Sequence, residues 1–69
     1  MKRYQLGVIG AGNMGMAIAR GLAATGVPAS DILLFNRSAD KRAANKAAGF
    51  SATDDYAALY AASDMVLLS

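Results

Sequence analysis

No cysteine and no histidine occur among the 69 residues. The first absence removes disulfides and thiolate metal sites from this stretch; the second removes the usual general base near neutral pH. Long hydrophobic runs are missing too. Although 55% of the residues are apolar, alanine and glycine supply much of that share, and no run approaches the roughly 20 residues needed to span a bilayer. Met1-Lys2-Arg3 is too brief, and passes too soon into a strand and a glycine turn, to head a secretory signal. The expectation is a soluble, cytoplasmic protein with no membrane partner. Charge of one sign is also scarce. Seven Lys and Arg against five Asp and Glu leave a net charge of +2, too small a surplus to indicate nucleic acid. A chain this short buries only about 60% of its unfolded surface, so it is one small domain or part of one.

What is present is concentrated between Tyr4 and Gly15, which reads Tyr-Gln-Leu-Gly-Val-Ile-Gly-Ala-Gly-Asn-Met-Gly. A short apolar run runs straight into Gly10, Gly12 and Gly15. That is the G-x-G-x-x-G spacing of a strand turning into a helix over a pyrophosphate. Gly10 permits the tight turn, Gly12 leaves the backbone bare for a diphosphate, and Gly15 lets the helix lie close to its own strand. The amides of Asn13 and Met14 then point out of a helix N-terminus with partial positive charge. Three glycines alone are a weak signal; the strand before them and the helix after them give the spacing its meaning.

Downstream, Met14, Ala17, Ile18, Gly21, Leu22 and Thr25 recur at one-face helical spacing, which predicts a helix from about Asn13 to Thr25 with that face on the sheet. Gly26 and Pro28 stop it. Ile32-Leu33-Leu34-Phe35 is a continuous apolar run, as in a strand covered on both faces. Asn36-Arg37-Ser38 ends that strand, and Ser38 caps a helix that runs through Ala43, Ala44 and Ala47 to Gly49. Phe50-Ser51-Ala52 is a short third strand. Thr53 or Asp54 is expected to cap a helix from about Asp55 to Ala62 that carries Ala58 and Leu59. Ser63-Asp64 then leads into Met65-Val66-Leu67-Leu68, a fourth strand.

Strands alternating with helices imply an α/β fold, a parallel sheet with right-handed crossovers and helices on both faces. The expected arrangement is a partial, Rossmann-type doubly wound sheet with strand order 3-2-1-4. Its ligand crevice opens between strands 1 and 4 at their carboxyl ends. An apolar fourth strand at a sheet edge is a liability that a complete fold would cover. Residues 1–69 are accordingly expected to be the amino-terminal part of an NAD(P)-binding domain, with a substrate and dimerisation domain absent.

NAD-preferring enzymes usually hold the adenosine ribose with Asp or Glu at the end of the second strand. Here that position is Asn36. A carboxylate would repel a 2′-phosphate, whereas Asn36, Arg37 and Ser38 can donate to one, with Arg the best geometric match. NADP is therefore the expected cofactor, with NADPH preferred over NADH. Lys41 and Arg42, one turn into the next helix, can extend the positive patch. Tyr4, Tyr56 and Tyr60 offer aromatic surface to adenine, although packing accounts for each.

Gly7 to Gly15, with Ala17-Ile18-Ala19, Gly21-Leu22 and Asn36-Arg37-Ser38, resembles the amino-terminal domain of pyrroline-5-carboxylate reductase, which reduces a cyclic imine to proline with NAD(P)H. The resemblance implies diphosphate contacts from Ile9, Gly10, Ala11, Gly12, Asn13 and Met14, and 2′-phosphate contacts from Asn36, Arg37 and Ser38. It places Ser69 at the start of a segment along the nicotinamide. It also implies an imine substrate and a homo-oligomer, with the imine pocket and the oligomer built by a helical carboxy-terminal domain. In this family an asparagine often stands where Tyr56 is, which puts a ribose contact there in doubt. Asp54, Asp55 and Asp64 read as caps or turn residues, and no catalytic residue is assigned. Two rivals share parts of the pattern. β-Hydroxyacid dehydrogenases more often carry Gly-Leu-Gly-x-Met-Gly, against which Ala11 and Asn13 argue, and a non-catalytic dinucleotide sensor shares the fold.

Overall fold

The structure is a computed structural model of the chain and describes residues 2–10 and 12–68, with the side chains of Asn13 and Met14 outside the described set. Four strands, β1 (Tyr4–Ile9), β2 (Ile32–Phe35), β3 (Ser51–Thr53) and β4 (Ser63–Leu68), alternate with helices α1 (Asn13–Ala24), α2 (Ala39–Ala47) and α3 (Tyr56–Ala62). A 3-10 turn at Ala29–Asp31 precedes β2. The sheet order is β3-β2-β1-β4, and every pairing is parallel. This is a partial Rossmann-like fold, in the strand order read from the sequence. Among the described residues, no helix is long and apolar enough to cross a membrane.

Parallel strands covered on both faces need apolar residues on both, and β2 supplies them with all four residues buried. On one face Leu6, Val8, Ile32 and Leu34 pack with Ala19 of α1 and with Phe50. The other face buries Leu33 and Phe35 against Leu59 of α3. Leu34, Ile32, Val8 and Leu59 have no exposed surface, and each contributes on the order of 2 kcal/mol by burial.

The first helix is rotated from its expected phase. Ala17, Ile18, Gly21 and Thr25 of the predicted face are exposed, and Leu22 is half-buried; Gly15 and Ala19 are buried, with Met16 and Ala23 half-buried. The face that meets the sheet is therefore shifted by one residue, about 100° around the axis. Close approach to β1 selects the smallest side chains, and glycine and alanine barely register in an apolar count. Met14, also in the predicted face, has its side chain outside the described residues. α1 and α2 run out into Gly26 and Gly49, at φ of 107° and 99°.

Two boundaries also move. The third strand starts at Ser51, not Phe50, because Phe50 turns its ring into the core and gives its amide to the Asn45 carbonyl at 3.1 Å. Neither Thr53 nor Asp54 caps α3. Asp55 does, accepting from the Ala58 amide at 3.2 Å, while Thr53 Oγ1 accepts from the Asp55 amide and fixes the preceding turn. β4 follows at Ser63 without a loop, earlier than the apolar run begins, and its Met65 and Leu68 side chains are largely exposed at the sheet edge.

Gly7 controls how closely α3 lies on β1. A Cβ there would stand 2.6 Å from Leu59 Cδ2, 2.9 Å from Leu59 Cγ and in contact with Ser63 Oγ. Leu59 is fully buried and has little room to yield. Gly7→Ala is therefore expected to cost about 2 kcal/mol or more by overpacking, read as a lower urea midpoint with an unchanged m-value. Among the described residues the buried Ser63 Oγ has no hydrogen-bond partner, so Ser63→Ala is expected to add about 1 kcal/mol of stability and to raise the same midpoint. A stabilising Gly7→Ala, or a destabilising Ser63→Ala, would contradict this account of the α3 contact.

Candidate functional site

Parallel pairing brings the carboxyl ends of β1, β2 and β3 to one edge of the sheet. A cleft of 440 Å³ opens there, lined by Ile9, Gly10 and Gly12 after β1, by Phe35, Asn36 and Arg37 at the end of β2, by Lys41 on α2 and by Tyr56 at the start of α3. Of the residues singled out in the sequence, Ile9, Gly10, Gly12, Asn36, Arg37, Lys41 and Tyr56 are thus brought together, while Ser38 is not part of the lining. Ala11 and Ser69 lie outside the described residues. Asn13 and Met14 open α1.

The turn into α1 is set by the backbone. Gly10 adopts φ 76°, a region costly for residues with a Cβ, and its carbonyl accepts from the Gly12 amide at 2.7 Å. Gly12 then serves as N-cap without a side-chain bond, and no acidic residue occupies the first turn of α1. α2 and α3, by contrast, are capped by Ser38 and Asp55. Among the described residues, no side-chain carboxylate or hydroxyl covers the positive end of α1, which opens on the cleft at Gly12. A Cβ at Gly12 would meet nothing within 4 Å. The described protein atoms do not require glycine there, which fits a position kept bare for a ligand.

Beyond β2 the chain is fixed from several sides. The Asn36 amide donates to the Thr53 carbonyl at 3.0 Å. Asn36 Oδ1 accepts from the Ser38 amide at 3.1 Å, an Asx turn that leaves the side-chain Nδ2 of Asn36 as the donor for a ligand. Ser38 Oγ accepts from the Lys41 amide at 3.4 Å and keeps its own proton to donate. Arg42 does something the sequence did not suggest. Its Nη1 donates to the carbonyls of both Asn36 and Arg37, at 3.0 and 2.9 Å, and lies 3.9 Å from Asp54 Oδ2. Arg42 thus braces the turn from below, and Lys41 alone of the pair reaches the cleft.

Among the described residues, Arg37 and Lys41 make no ion pair, while Lys2, Arg3 and Arg42 pair with Asp31, Asp64 and Asp54. An adjoining hollow of 320 Å³ between α1 and α2 shares Gly12, Asn36 and Lys41 with the cleft and adds Arg20 and Asn45. Arg20 was missed in the sequence because nothing in its spacing ties it to the glycine turn. Phe35, the last residue of the buried strand β2, also forms cleft wall. Tyr56 stacks on it, with ring centroids 3.9 Å apart and planes 14° from parallel.

An open helix N-terminus, a bare glycine turn and two unpaired cations in one cleft suit an anionic ligand with phosphates at two points. A family model described as NADP oxidoreductase, coenzyme F420-dependent, matches residues 5–69. Comparisons with curated proteins and with solved structures give no match. The matched span contains all but the start of β1, every later element and the whole cleft lining, so the chain belongs to the NADP oxidoreductase, coenzyme F420-dependent, family and is a nicotinamide-dinucleotide-binding domain of an oxidoreductase.

Proposed function

We propose that the chain is the NADPH-binding part of a cytoplasmic pyrroline-5-carboxylate reductase, which reduces 1-pyrroline-5-carboxylate to proline. The observation that carries the reading is the turn after β2. Asn36 stands where an NAD enzyme would hold ribose with a carboxylate, and the same turn presents Arg37 to the cleft. The Gly-Ala-Gly-Asn-Met-Gly loop adds the resemblance that favours this reductase over other members of the fold.

The residues divide the work by charge. Gly10 and Gly12 form the bend, and the first amides of α1, from Asn13 and Met14, donate to the diphosphate; Ile9 supports the bend from the end of β1. Arg37 grips the 2′-phosphate, with Asn36, Ser38 and Lys41 as further donors. Bound NADPH supplies the hydride. The domain's own contribution is to hold the dinucleotide in one orientation, which lowers the entropic part of the barrier. The imine pocket and the homo-oligomer belong, on this reading, to a carboxy-terminal domain beyond residues 1–69.

Full-length protein is expected to oxidise NADPH in the presence of 1-pyrroline-5-carboxylate, followed as loss of nicotinamide absorbance with proline formed in equal amount. Turnover of β-hydroxyacids with NADP, and none of the imine, would move the assignment to a hydroxyacid dehydrogenase. In the same protein Arg37→Asp should shift the ratio of NADPH to NADH affinity by roughly 100-fold toward NADH, since a charge-assisted phosphate contact becomes a repulsion. An unchanged ratio in titration would remove Arg37 from the phosphate site. Arg42→Ala should weaken NADPH about fivefold and NADH less, through loosening of the braced turn. Equal weakening of both cofactors would show that Arg42 acts elsewhere.

A further inference from the structure

The proposed cofactor site leaves one part of the cleft wall without a task. Tyr56 is 41% exposed although its ring lies almost flat on Phe35, which is buried. A tyrosine that served only the core would bury its ring; one that served only solvent would not be held in a fixed plane. Its position is set by its neighbours along the chain. Thr53 Oγ1 holds the Asp55 amide and Asp55 caps the helix that Tyr56 begins, so the backbone that carries the ring is tied at both steps. The cations on the same cleft wall, Arg37 and Lys41, stand on the β2 and α2 side.

We infer that Tyr56 is the stacking surface for the adenine base, a flat aromatic wall backed by Phe35 and adjoining the phosphate-gripping turn. The inference rests on the dinucleotide reading above and adds to it the residue that recognises the base. In a parallel sheet of this order the two halves of a dinucleotide lie on either side of β1, and β2, β3 and the start of α3 lie on the side where Arg37 marks the adenosine phosphate. A base can therefore meet Tyr56 while its ribose phosphate meets Arg37. Offset stacking on a pre-oriented ring requires little further ordering, and Phe35 supplies that orientation from behind. The phenol hydroxyl has no role in this contact. Phenylalanine should consequently serve as well as tyrosine, and an aliphatic side chain should not.

Full-length protein and its Tyr56→Phe, Tyr56→Leu and Tyr56→Ala variants are titrated calorimetrically with 2′,5′-ADP, NADPH and reduced nicotinamide mononucleotide. Tyr56→Leu and Tyr56→Ala should bind 2′,5′-ADP and NADPH about tenfold more weakly, Tyr56→Phe within about twofold of the parent, and the mononucleotide should not change. Upfield shifts of the adenine H2 and H8 resonances on binding 2′,5′-ADP, present in the parent and Tyr56→Phe and lost in Tyr56→Leu, identify ring stacking directly. Tyr56→Leu covers Phe35 with an aliphatic group of its own, so loss of binding in that variant is not a folding failure. Parent-like affinity and shifts in Tyr56→Leu would overturn the inference and leave the dinucleotide reading intact. Failure of the parent itself to bind 2′,5′-ADP or NADPH would overturn both.

Discussion

Because β1 pairs in parallel with β2 through Leu6, Gly7 and Val8, and with β4 from Tyr4 to Ile9, the strands of the sheet finish at the same edge. Parallel pairing also forces each connection to cross over the sheet, so helices cover both faces and the strands must be apolar on both sides. β2 meets that demand with four buried residues in a row. The polar chemistry is thereby driven out of the strands and into the turns that follow them. The cleft is where three such turns converge, and its position follows from strand pairing before any side chain in it is considered.

At this edge the chain fixes its backbone and leaves its charges unspent. The turn from Asn36 to Ser38 is held by Thr53, by its own Asx bond and by two contacts from Arg42. One guanidinium satisfies two successive carbonyl acceptors and ties the Asn36–Arg37 backbone to α2. A ligand meeting this turn pays little for ordering it. The open end of α1 works in the same way, since its first-turn amides are aligned by the helix before a ligand arrives.

Element type and sheet order were legible in the sequence because Gly10-Ala11-Gly12 and the apolar runs of β1, β2 and β4 are strong local signals. Phase and boundaries were less legible. The face of α1 was misjudged because Gly15 and Ala19, the buried residues of the helix, carry almost no hydrophobic weight; the decisive quantity was size. Asp55 displaced Thr53 and Asp54 as the cap of α3 because three adjacent residues can all accept from a helix amide, and only the path out of β3 selects among them. The glycine turn and the Asn36-Arg37 corner were visible as cleft residues from spacing alone. Arg42 was not, since donation to carbonyls six and five residues earlier depends on a chain reversal that linear spacing does not reveal.

Net charge gave no functional information, and the structure shows the physical reason. The surplus of +2 is the sum of cations with different employment. Lys2 and Arg3 precede β1, at the end of the sheet away from the cleft, and pair with Asp31 and Asp64. Arg42 is occupied by carbonyls and Asp54. At physiological ionic strength such pairs are screened over about 8 Å, so they add almost nothing to the field in the cleft. Arg37 and Lys41 remain there with no acidic partner among the described residues, beside the positive end of α1. A nearly neutral chain can hold an anion tightly when two of its unpaired cations share one wall, and the strand ends of the parallel sheet bring Arg37 and Lys41 to that wall.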